Sequence, residues 1–197
     1  MKRVRLSTEK IDQIAAEAAA VLQQPGKVVL VPTETVYGLI ARADDRAAIE
    51  RIFELKHRNA SKRLGWFIDD WRKLTEYGVI LSGLPEQLAA EYCPGALTII
   101  APCRDGSTLG FRVPDTPFLS KLLALVGTAL VQTSANASGM PDALDCDEAL
   151  RQLNGEADMV IDGGGIFGKA IGSTVVDATG ERIKILRQGP VDLQKWL

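Results

Sequence analysis

The sequence predicts an α/β fold, with a single domain over residues 1–197 built on a twisted mixed β-sheet with flanking helices. Helical patterns alternate with short apolar, β-branched runs through most of the chain, which is typical of this class. Three strand-like runs then follow one another near the C-terminus, at 159–162, 173–177 and 183–186, without helices between them. Such a succession does not suit an all-parallel sheet, so we expect parallel and antiparallel neighbours together.

The first helix is predicted over residues 11–22, where apolar residues recur at helical spacing. Ser7 or Thr8 is available as its N-terminal cap, and the pair Pro25-Gly26 ends the pattern. These boundaries make it an amphipathic helix that packs on the sheet.

The remaining elements follow from the same two patterns. Apolar β-branched runs predict strands at 28–31, 64–68, 97–101, 109–113 and 129–133. Helical spacing predicts helices at 48–55, 71–77, 85–92, 117–126 and 147–153, the first of them capped by Asp44 or Asp45. Pro85 and Pro117 both suit the first turn of a helix, where a missing N–H costs nothing.

Composition describes an ordinary globular chain. The 197 residues are 46% hydrophobic and 24% charged, and a chain of this length buries enough surface to fold without disulfides or a structural metal. The formal net charge is −2, so any affinity for nucleotides or nucleic acid has to come from a local basic patch.

Cysteine usage and the N-terminus bear on location. Cys93, Cys103 and Cys146 form neither a CxxC pair nor a Cys/His cluster, and their odd number favours a reducing compartment. The basic N-terminus is not followed by the apolar stretch of a signal peptide, and no apolar run approaches the roughly 20 residues that span a bilayer. We therefore expect a soluble, cytoplasmic protein with no bound structural metal and no membrane partner.

The segment 32–39, with the sequence PTETVYGL, places three hydroxyls and one carboxylate directly after a buried strand. One interpretation is a connection from strand to helix whose threonines cap backbone N–H groups. The other is a set of polar side chains presented to a ligand at the end of a strand. The residue types alone leave both open.

Residues 163–169, with the sequence GGGIFGK, match GxGxxG and nearly match the phosphate-binding loop GxxxxGK[ST]. Both motifs depend on a helix whose N-terminus faces the phosphates. The residues that follow predict a strand, and Ala170 stands where the magnesium-binding hydroxyl belongs. We interpret the segment as a glycine-rich loop and expect Lys169 to contribute little to ATP binding.

The positions of the lysines and arginines indicate a function more clearly than those of the acid–base residues. His57 is the only histidine, and no nucleophile–histidine or metalloprotease pattern is present. Lys56 ends a predicted helix, whereas Arg112 and Arg187 end predicted strands, where no helix dipole explains a cation. Cations beside hydroxyl-rich and amide-rich loops suit phosphoryl or nucleotidyl transfer, which needs charge stabilisation more than a proton shuttle.

Together these segments resemble the YrdC-like family over about residues 10–190. They occur in the family's order: PTETVYGL at 32–39, Lys56 with Arg58, Cys93-Pro94-Gly95 with Thr98, Arg112-Val113-Pro114, Ser134-Ala135-Asn136, 173–177 (STVVD) and Ile185-Leu186-Arg187 with Gly189. One such segment would be weak, but seven in order are specific. The chain is most similar to single-domain, TsaC-type members.

The resemblance implies a sheet around a positively charged cavity and a threonylcarbamoyl-AMP synthase activity. Such an enzyme, a nucleotidyltransferase, joins L-threonine, bicarbonate and ATP into L-threonylcarbamoyladenylate and pyrophosphate. The product serves threonylcarbamoyladenosine modification of tRNA, so downstream tRNA threonylcarbamoyl transferase proteins are implied as partners. Mg²⁺ is expected with the ATP, because it usually accompanies a triphosphate.

The resemblance also assigns roles to residues. Lys56 and Arg58 would be catalytic and would contact the substrate carboxylate and phosphates. Nucleotide and substrate binding is assigned to Thr33, Thr35, Tyr37, Arg112, Ser134, Asn136, Ser173 and Arg187. Alternation along an extended chain would place Ser134 and Asn136 on one side, with Ala135 pointing away.

The chain departs from the family between residues 56 and 64. His57 replaces a glycine, which implies that the backbone there avoids glycine-type conformations, and two prolines of the family pattern are missing. Two alternatives to the synthase therefore stay open: a non-catalytic module that binds double-stranded RNA or tRNA, and a paralogue that uses another carbamoyl or acyl adenylate.

Overall fold

A computed structural model of the chain describes residues 1–57, 63–143, 145–165 and 171–197. Within these ranges ten strands form one sheet. They are Lys2–Arg5 (β1), Val29–Val31 (β2), Gly38–Arg42 (β3), Gly65–Phe67 (β4), Leu97–Pro102 (β5), Thr108–Arg112 (β6), Leu130–Ser134 (β7), Met159–Asp162 (β8), Thr174–Asp177 (β9) and Lys184–Arg187 (β10).

Five α-helices flank the sheet in the same ranges. They are Ile11–Leu22 (α1), Arg46–Leu55 (α2), Leu84–Tyr92 (α3), Pro117–Val126 (α4) and Cys146–Gln152 (α5). Shorter 3₁₀ turns occupy Thr8–Lys10, Trp71–Tyr77 and Gln194–Trp196. None of the helices in the described part of the chain is long and apolar enough to cross a membrane.

The strand order is β1-β8-β2-β3-β7-β4-β6-β5-β9-β10. The pairs β1/β8, β2/β8, β4/β6 and β5/β9 are parallel, and the other neighbours are antiparallel. The predicted mixed sheet is therefore confirmed. Because β4, β6, β5 and β9 are neighbours, residues far apart in sequence come together on one face of the sheet.

The helices cover the sheet through three apolar clusters. Helices α1 and α4 pack together over the β2/β8 region, and α2 and α5 cover a second cluster around Leu30 and Val160. A third cluster, under α3, takes Ile99 of β5 and Phe111 of β6. Because side chains alternate along a strand, Thr98 and Gly110 on these same strands are left to face the opposite side.

The caps of the helices follow the sequence in part. Asp45 caps α2 as predicted, its carboxylate accepting from the Ala48 N–H at 3.0 Å. The predicted cap of α1 is wrong, because Ser7 and Thr8 make no capping hydrogen bond. The 3₁₀ turn at Thr8–Lys10 feeds directly into the helix, so Lys10 stands at its N-terminal boundary instead.

The connection at 32–37 joins two strands rather than a strand and a helix. Val29 lies opposite Ile40 and Val31 opposite Gly38, so β2 and β3 form an antiparallel hairpin around this segment. The interpretation as a strand-to-helix link is therefore wrong. The hairpin holds the hydroxyl-rich segment against the face of the sheet.

The backbone at His57 also differs from expectation. His57 has φ 48°, in the left-handed region that its replacement of a glycine was expected to exclude. This region is open to a minority of non-glycine residues, among which histidine is enriched. The chain therefore keeps a left-handed turn after α2 without a glycine. The predictions for residues 58–62, including Arg58, lie outside the described residues.

Candidate active site

A cavity of about 350 Å³ opens on the side of β5 and β6 to which Thr98 and Gly110 face, opposite the apolar cluster under α3. Six of the predicted site residues line it, namely Thr33, Thr35, Arg112, Ser134, Ser173 and Arg187. They come from the 32–37 hairpin, from the ends of β6, β7 and β10 and from the entry to β9. The sheet order thus gathers them from segments spread over more than 150 residues of sequence.

The hydroxyls of the segment 32–37 are linked to one another and to Arg112. Thr33 Oγ1 accepts from the N–H groups of Thr35 and Val36 and donates to Val36 O at 2.7 Å. Thr33 Oγ1 also lies 3.0 Å from Thr35 Oγ1. Thr35 Oγ1 accepts from Arg112 Nη1 at 3.0 Å.

Arg112 is the buried cation of the cavity, with 3% of the residue exposed. Its Nε donates to Gly95 O at 3.1 Å, and its guanidinium lies 5.6 Å from the centre of the Phe67 ring. Nη2 lies 2.6 Å from Glu34 Oε1, yet it makes no well-aligned hydrogen bond within the described structure. The guanidinium is thus firmly placed while part of its donor capacity stays unused.

A second polar group lies where β5, β9 and β10 meet. Thr98 Oγ1 and Ser173 Oγ are 2.7 Å apart, and Arg187 holds Ser173 through its backbone carbonyl (Nε, 2.9 Å) and its hydroxyl (Nη2, 3.2 Å). A Cβ at Gly172 would lie 2.8 Å from Arg187 Cζ, so only glycine lets the guanidinium lie against the backbone here. The group presents one cation and two hydroxyls to the cavity.

Lys56 lies beneath the cavity and does not line it. It is 2% exposed, and its Nζ donates to the carbonyl oxygens of Ser134 and Asn136 and, at 3.2 Å, to Asn136 Oδ1. Ser134 Oγ in turn donates to Asn136 Oδ1 at 2.5 Å, which confirms that these two side chains share a side, and Ala135 is buried in the core. Lys56 therefore holds the 134–136 turn in shape.

Tyr37 also lies away from the lining. Its hydroxyl donates to Gly164 O at 2.6 Å and accepts from the Gly163 N–H at 3.0 Å, which fastens the start of the glycine-rich loop. Burial raises the pKa of Tyr37 to about 12, although the Gly163 N–H works in the opposite direction. The phenol therefore stays protonated at neutral pH, and it holds the backbone of Gly163 and Gly164 through hydrogen bonds.

Asp162 secures the same loop from the other side. Burial alone would raise its pKa, but the Gly164 N–H and the guanidinium of Arg3 outweigh burial and hold the pKa below its usual range. The carboxylate stays charged at neutral pH and faces the N-terminal strand. The remainder of the loop, including Lys169, lies outside the described residues.

Three arginines, Arg63, Arg112 and Arg187, are among the described residues that line the cavity. The carboxylate of Glu34 lies beside the lining, 2.6 Å from Arg112 Nη2. Elsewhere in the described chain, no group of three or more His, Cys, Asp or Glu side chains is placed to hold a metal ion. A surface of arginines and hydroxyls suits an anionic ligand.

Comparison with known proteins identifies the family of the chain. A family model described as "Telomere recombination", covering the Sua5, YciO and YrdC proteins, matches residues 21–189. The chain belongs to the Sua5–YciO–YrdC family. The resemblance stated from its sequence motifs is thereby confirmed.

Relatives within the Sua5–YciO–YrdC family include proteins named threonylcarbamoyl-AMP synthase. A threonylcarbamoyl-AMP synthase of Bacillus subtilis is 31% identical over 97% of this chain and 59% of its own length. Another, of Chromohalobacter salexigens, is 34% identical over 89% of this chain and 98% of its own. The chain spans between half and two thirds of the length of the Bacillus subtilis and Pyrococcus abyssi relatives, at 59% and 57%.

Solved structures of the family share the fold. P. abyssi Sua5 complexed with L-threonine superposes with a TM-score of 0.83 at 32% identity, covering 98% of this chain and 58% of that one. E. coli YciO superposes with a TM-score of 0.86 over 100% of this chain and 98% of its own, and at 22% identity it speaks for the fold alone.

The cavity also includes residues to which the sequence assigned no role. Arg63 donates to Thr108 through its Nη1, at the carbonyl oxygen and, at 3.3 Å, at Oγ1. Thr98 belonged to the family motif that begins at Cys93 but was assigned no role, and Gln132 of β7 gave no signal. Glu34 was noted as a carboxylate among hydroxyls, but its position beside Arg112 depends on the sheet topology.

Proposed function

We propose that this chain is a threonylcarbamoyl-AMP synthase, a nucleotidyltransferase that uses L-threonine, bicarbonate and ATP. One observation carries the proposal: two arginine–hydroxyl groups, one around Arg112 and one around Arg187, face a single cavity. Two separate anion-binding groups in one cavity suit a reaction that joins two anions. The names of the relatives and the threonine complex of P. abyssi Sua5 support the choice of reaction.

The chemistry places little demand on acid–base residues. The threonine amine forms an N–C bond with the bicarbonate carbon and water is lost, which gives a carbamate. A carbamate oxygen then attacks the α-phosphorus of ATP, and the bond to pyrophosphate breaks. Both partners are anionic, so the protein has to neutralise charge and hold them in line, which arginines and hydroxyls do well.

The two polar groups suit different ends of the reaction. Arg187, Ser173 and Thr98 are proposed to hold the triphosphate, because they combine a cation with two hydroxyls 2.7 Å apart. Thr33, Thr35 and Arg112 are proposed to hold threonine, with the guanidinium facing its carboxylate. Mg²⁺ would be bound by the phosphates themselves.

The turn at 134–136 is proposed to contact the nucleotide between these ends. Ser134 lines the cavity directly, whereas Asn136 and Lys56 keep the turn in shape from below. Arg58 is proposed as a further phosphate or carboxylate ligand on its family motif alone. Tyr37 is proposed to act through the Gly163–Gly164 backbone that it fastens.

The product of this reaction is a reactive mixed anhydride. It is proposed to serve threonylcarbamoyladenosine formation in tRNA, with tRNA threonylcarbamoyl transferase proteins as the downstream partners. Direct binding of tRNA or double-stranded RNA stays a prediction from the sequence resemblance.

Omission of single substrates tests the proposal. Pyrophosphate release should require ATP, L-threonine and bicarbonate together, because the carbamate that attacks the α-phosphorus forms only from threonine and bicarbonate. Release in the complete mixture is compared with mixtures that lack one substrate, with D-threonine as a matched control. Release that persists without threonine would favour a different adenylate, and binding without any release would favour a non-catalytic module.

A further inference from the structure

Glu34 lies beside the cavity, against its buried cation Arg112. Its Oε1 lies 2.6 Å from Arg112 Nη2 and also accepts from the Asp115 N–H at 3.0 Å. The side chain of Glu34 is 19% exposed, whereas that of Arg112 is 4% exposed. The half-buried carboxylate of Glu34 thus contacts Arg112, the buried cation that would bind an anionic ligand in the cavity.

The contact between the two residues is an ion pair with unfavourable alignment. Arg112 donates from Nε to Gly95 O and from Nη1 to Thr35 Oγ1, and both hydrogen bonds have ordinary lengths. Nη2 is buried and close to Glu34 without a well-aligned hydrogen bond in the described structure. Glu34 therefore neutralises the guanidinium without using its full donor capacity, and an entering carboxylate could bind it in the better, forked geometry.

We propose that Glu34 is a resident carboxylate that competes with the ligand's carboxylate for Arg112 and so sets how tightly the cavity holds it. This inference rests on the proposed function for the identity of the ligand, L-threonine, but not for the competition itself. Glu34 is thus a specificity-determining residue that keeps carboxylate binding weak enough for release. Its removal should strengthen binding of carboxylates and leave uncharged analogues unaffected.

Glu34→Gln isolates the charge. The amide oxygen can still accept from the Asp115 N–H, so the hairpin keeps its anchor while the negative charge beside Arg112 is lost. Asp115→Asn is the matched control, because it removes one negative charge from the adjoining segment, where Asp115 is exposed. Glu34→Ala is a second variant that removes both the charge and the anchor.

Binding is measured with three probes: L-threonine, L-threoninamide, which lacks the carboxylate, and acetate. Titrations of the intact protein follow the Arg112 Nε–H signal by NMR. Glu34→Gln should lower the dissociation constants of L-threonine and acetate at least fivefold and leave that of threoninamide within twofold. Asp115→Asn should leave all three within twofold, and Glu34→Ala should act in the same direction as Glu34→Gln.

Two outcomes overturn the proposal. Unchanged or weaker acetate binding in Glu34→Gln would mean that Glu34 only positions Arg112. An equal gain in Asp115→Asn would mean that the effect is general surface charge. If the wild-type protein binds L-threonine no better than acetate, the proposed function fails, while the acetate ratio still decides the role of Glu34.

Discussion

Replacing Gly189 by Ala should lower the midpoint of thermal unfolding by about 10 °C. A Cβ at this position would lie 2.3 Å from Thr174 N, 2.4 Å from Gly172 O and 2.6 Å from Ser173 C. All three atoms belong to the backbone, so no side chain can turn aside to relieve the clash. Overpacking of this kind costs about 3 kcal/mol, and for a domain of this size each kcal/mol shifts the midpoint by about 2–4 °C.

The same substitution should damage the site. The Gly189 N–H donates to Thr174 Oγ1 at 3.0 Å, and Arg187, two residues earlier, holds Ser173. Lifting the segment after β10 off β9 therefore separates Arg187 from Ser173, and ATP affinity should fall by tenfold or more in protein that is still folded at low temperature.

Gly180→Ala is the control for Gly189→Ala. The nearest atom to a Cβ at Gly180 is Arg182 O at 3.7 Å, which is an ordinary contact. Its unfolding midpoint, followed by circular dichroism, should stay within about 2 °C of the wild type. A midpoint for Gly189→Ala as close as that to the wild type would refute the packing argument.

Replacing Arg112 by Met should abolish most of the activity and destabilise the fold. The substitution keeps apolar contact with Phe67 but leaves Gly95 O and Thr35 without their donor and Glu34 without its counter-charge. Breaking a buried ion pair from one side costs about 3 kcal/mol. Loss of the cation proposed to hold the threonine carboxylate misplaces the substrate and should lower kcat/KM by about 100-fold.

A second substitution separates the two effects. Adding Glu34→Gln to Arg112→Met should restore about 1 kcal/mol of stability, because the unpaired carboxylate disappears, but none of the activity. Arg63→Met serves as the control, since Arg63 lies on the same cavity and is exposed, and should leave the unfolding midpoint nearly unchanged. Wild-type turnover in Arg112→Met would remove Arg112 from the proposed site.

Local patterns predicted the elements with the strongest periodicity. Helices α1, α2 and α4 appear close to their expected bounds, because apolar residues at helical spacing coincide with a proline or glycine boundary in α1 and α4 and with the cap Asp45 in α2. Strand β1 was not predicted, because its sequence KRVR is charged and it pairs only as an edge strand beside β8. Strand β3 was not predicted either, because it begins immediately after the polar segment 32–37.

Part of the candidate site was predicted from the family motifs in the sequence. Thr33, Ser173 and Arg187 were assigned by resemblance, and the cavity brings them together. The hydrogen-bond partners of Lys56 could not be predicted from sequence, because Ser134 and Asn136 are 78 and 80 residues away. The role inferred for Glu34 is likewise a consequence of tertiary structure, since it depends on the hairpin meeting the end of β6.

The carbon of bicarbonate offers the most direct test of the proposed function. With ¹³C-bicarbonate, L-threonine and ATP, the label should become a carbonyl bonded to the threonine nitrogen and, through oxygen, to the α-phosphorus. Its NMR signal should then be split by phosphorus and collapse to one line under ³¹P decoupling. A label that stays in bicarbonate or in free carbamate, in the presence of intact protein and all three substrates, would contradict the assignment as a threonylcarbamoyl-AMP synthase.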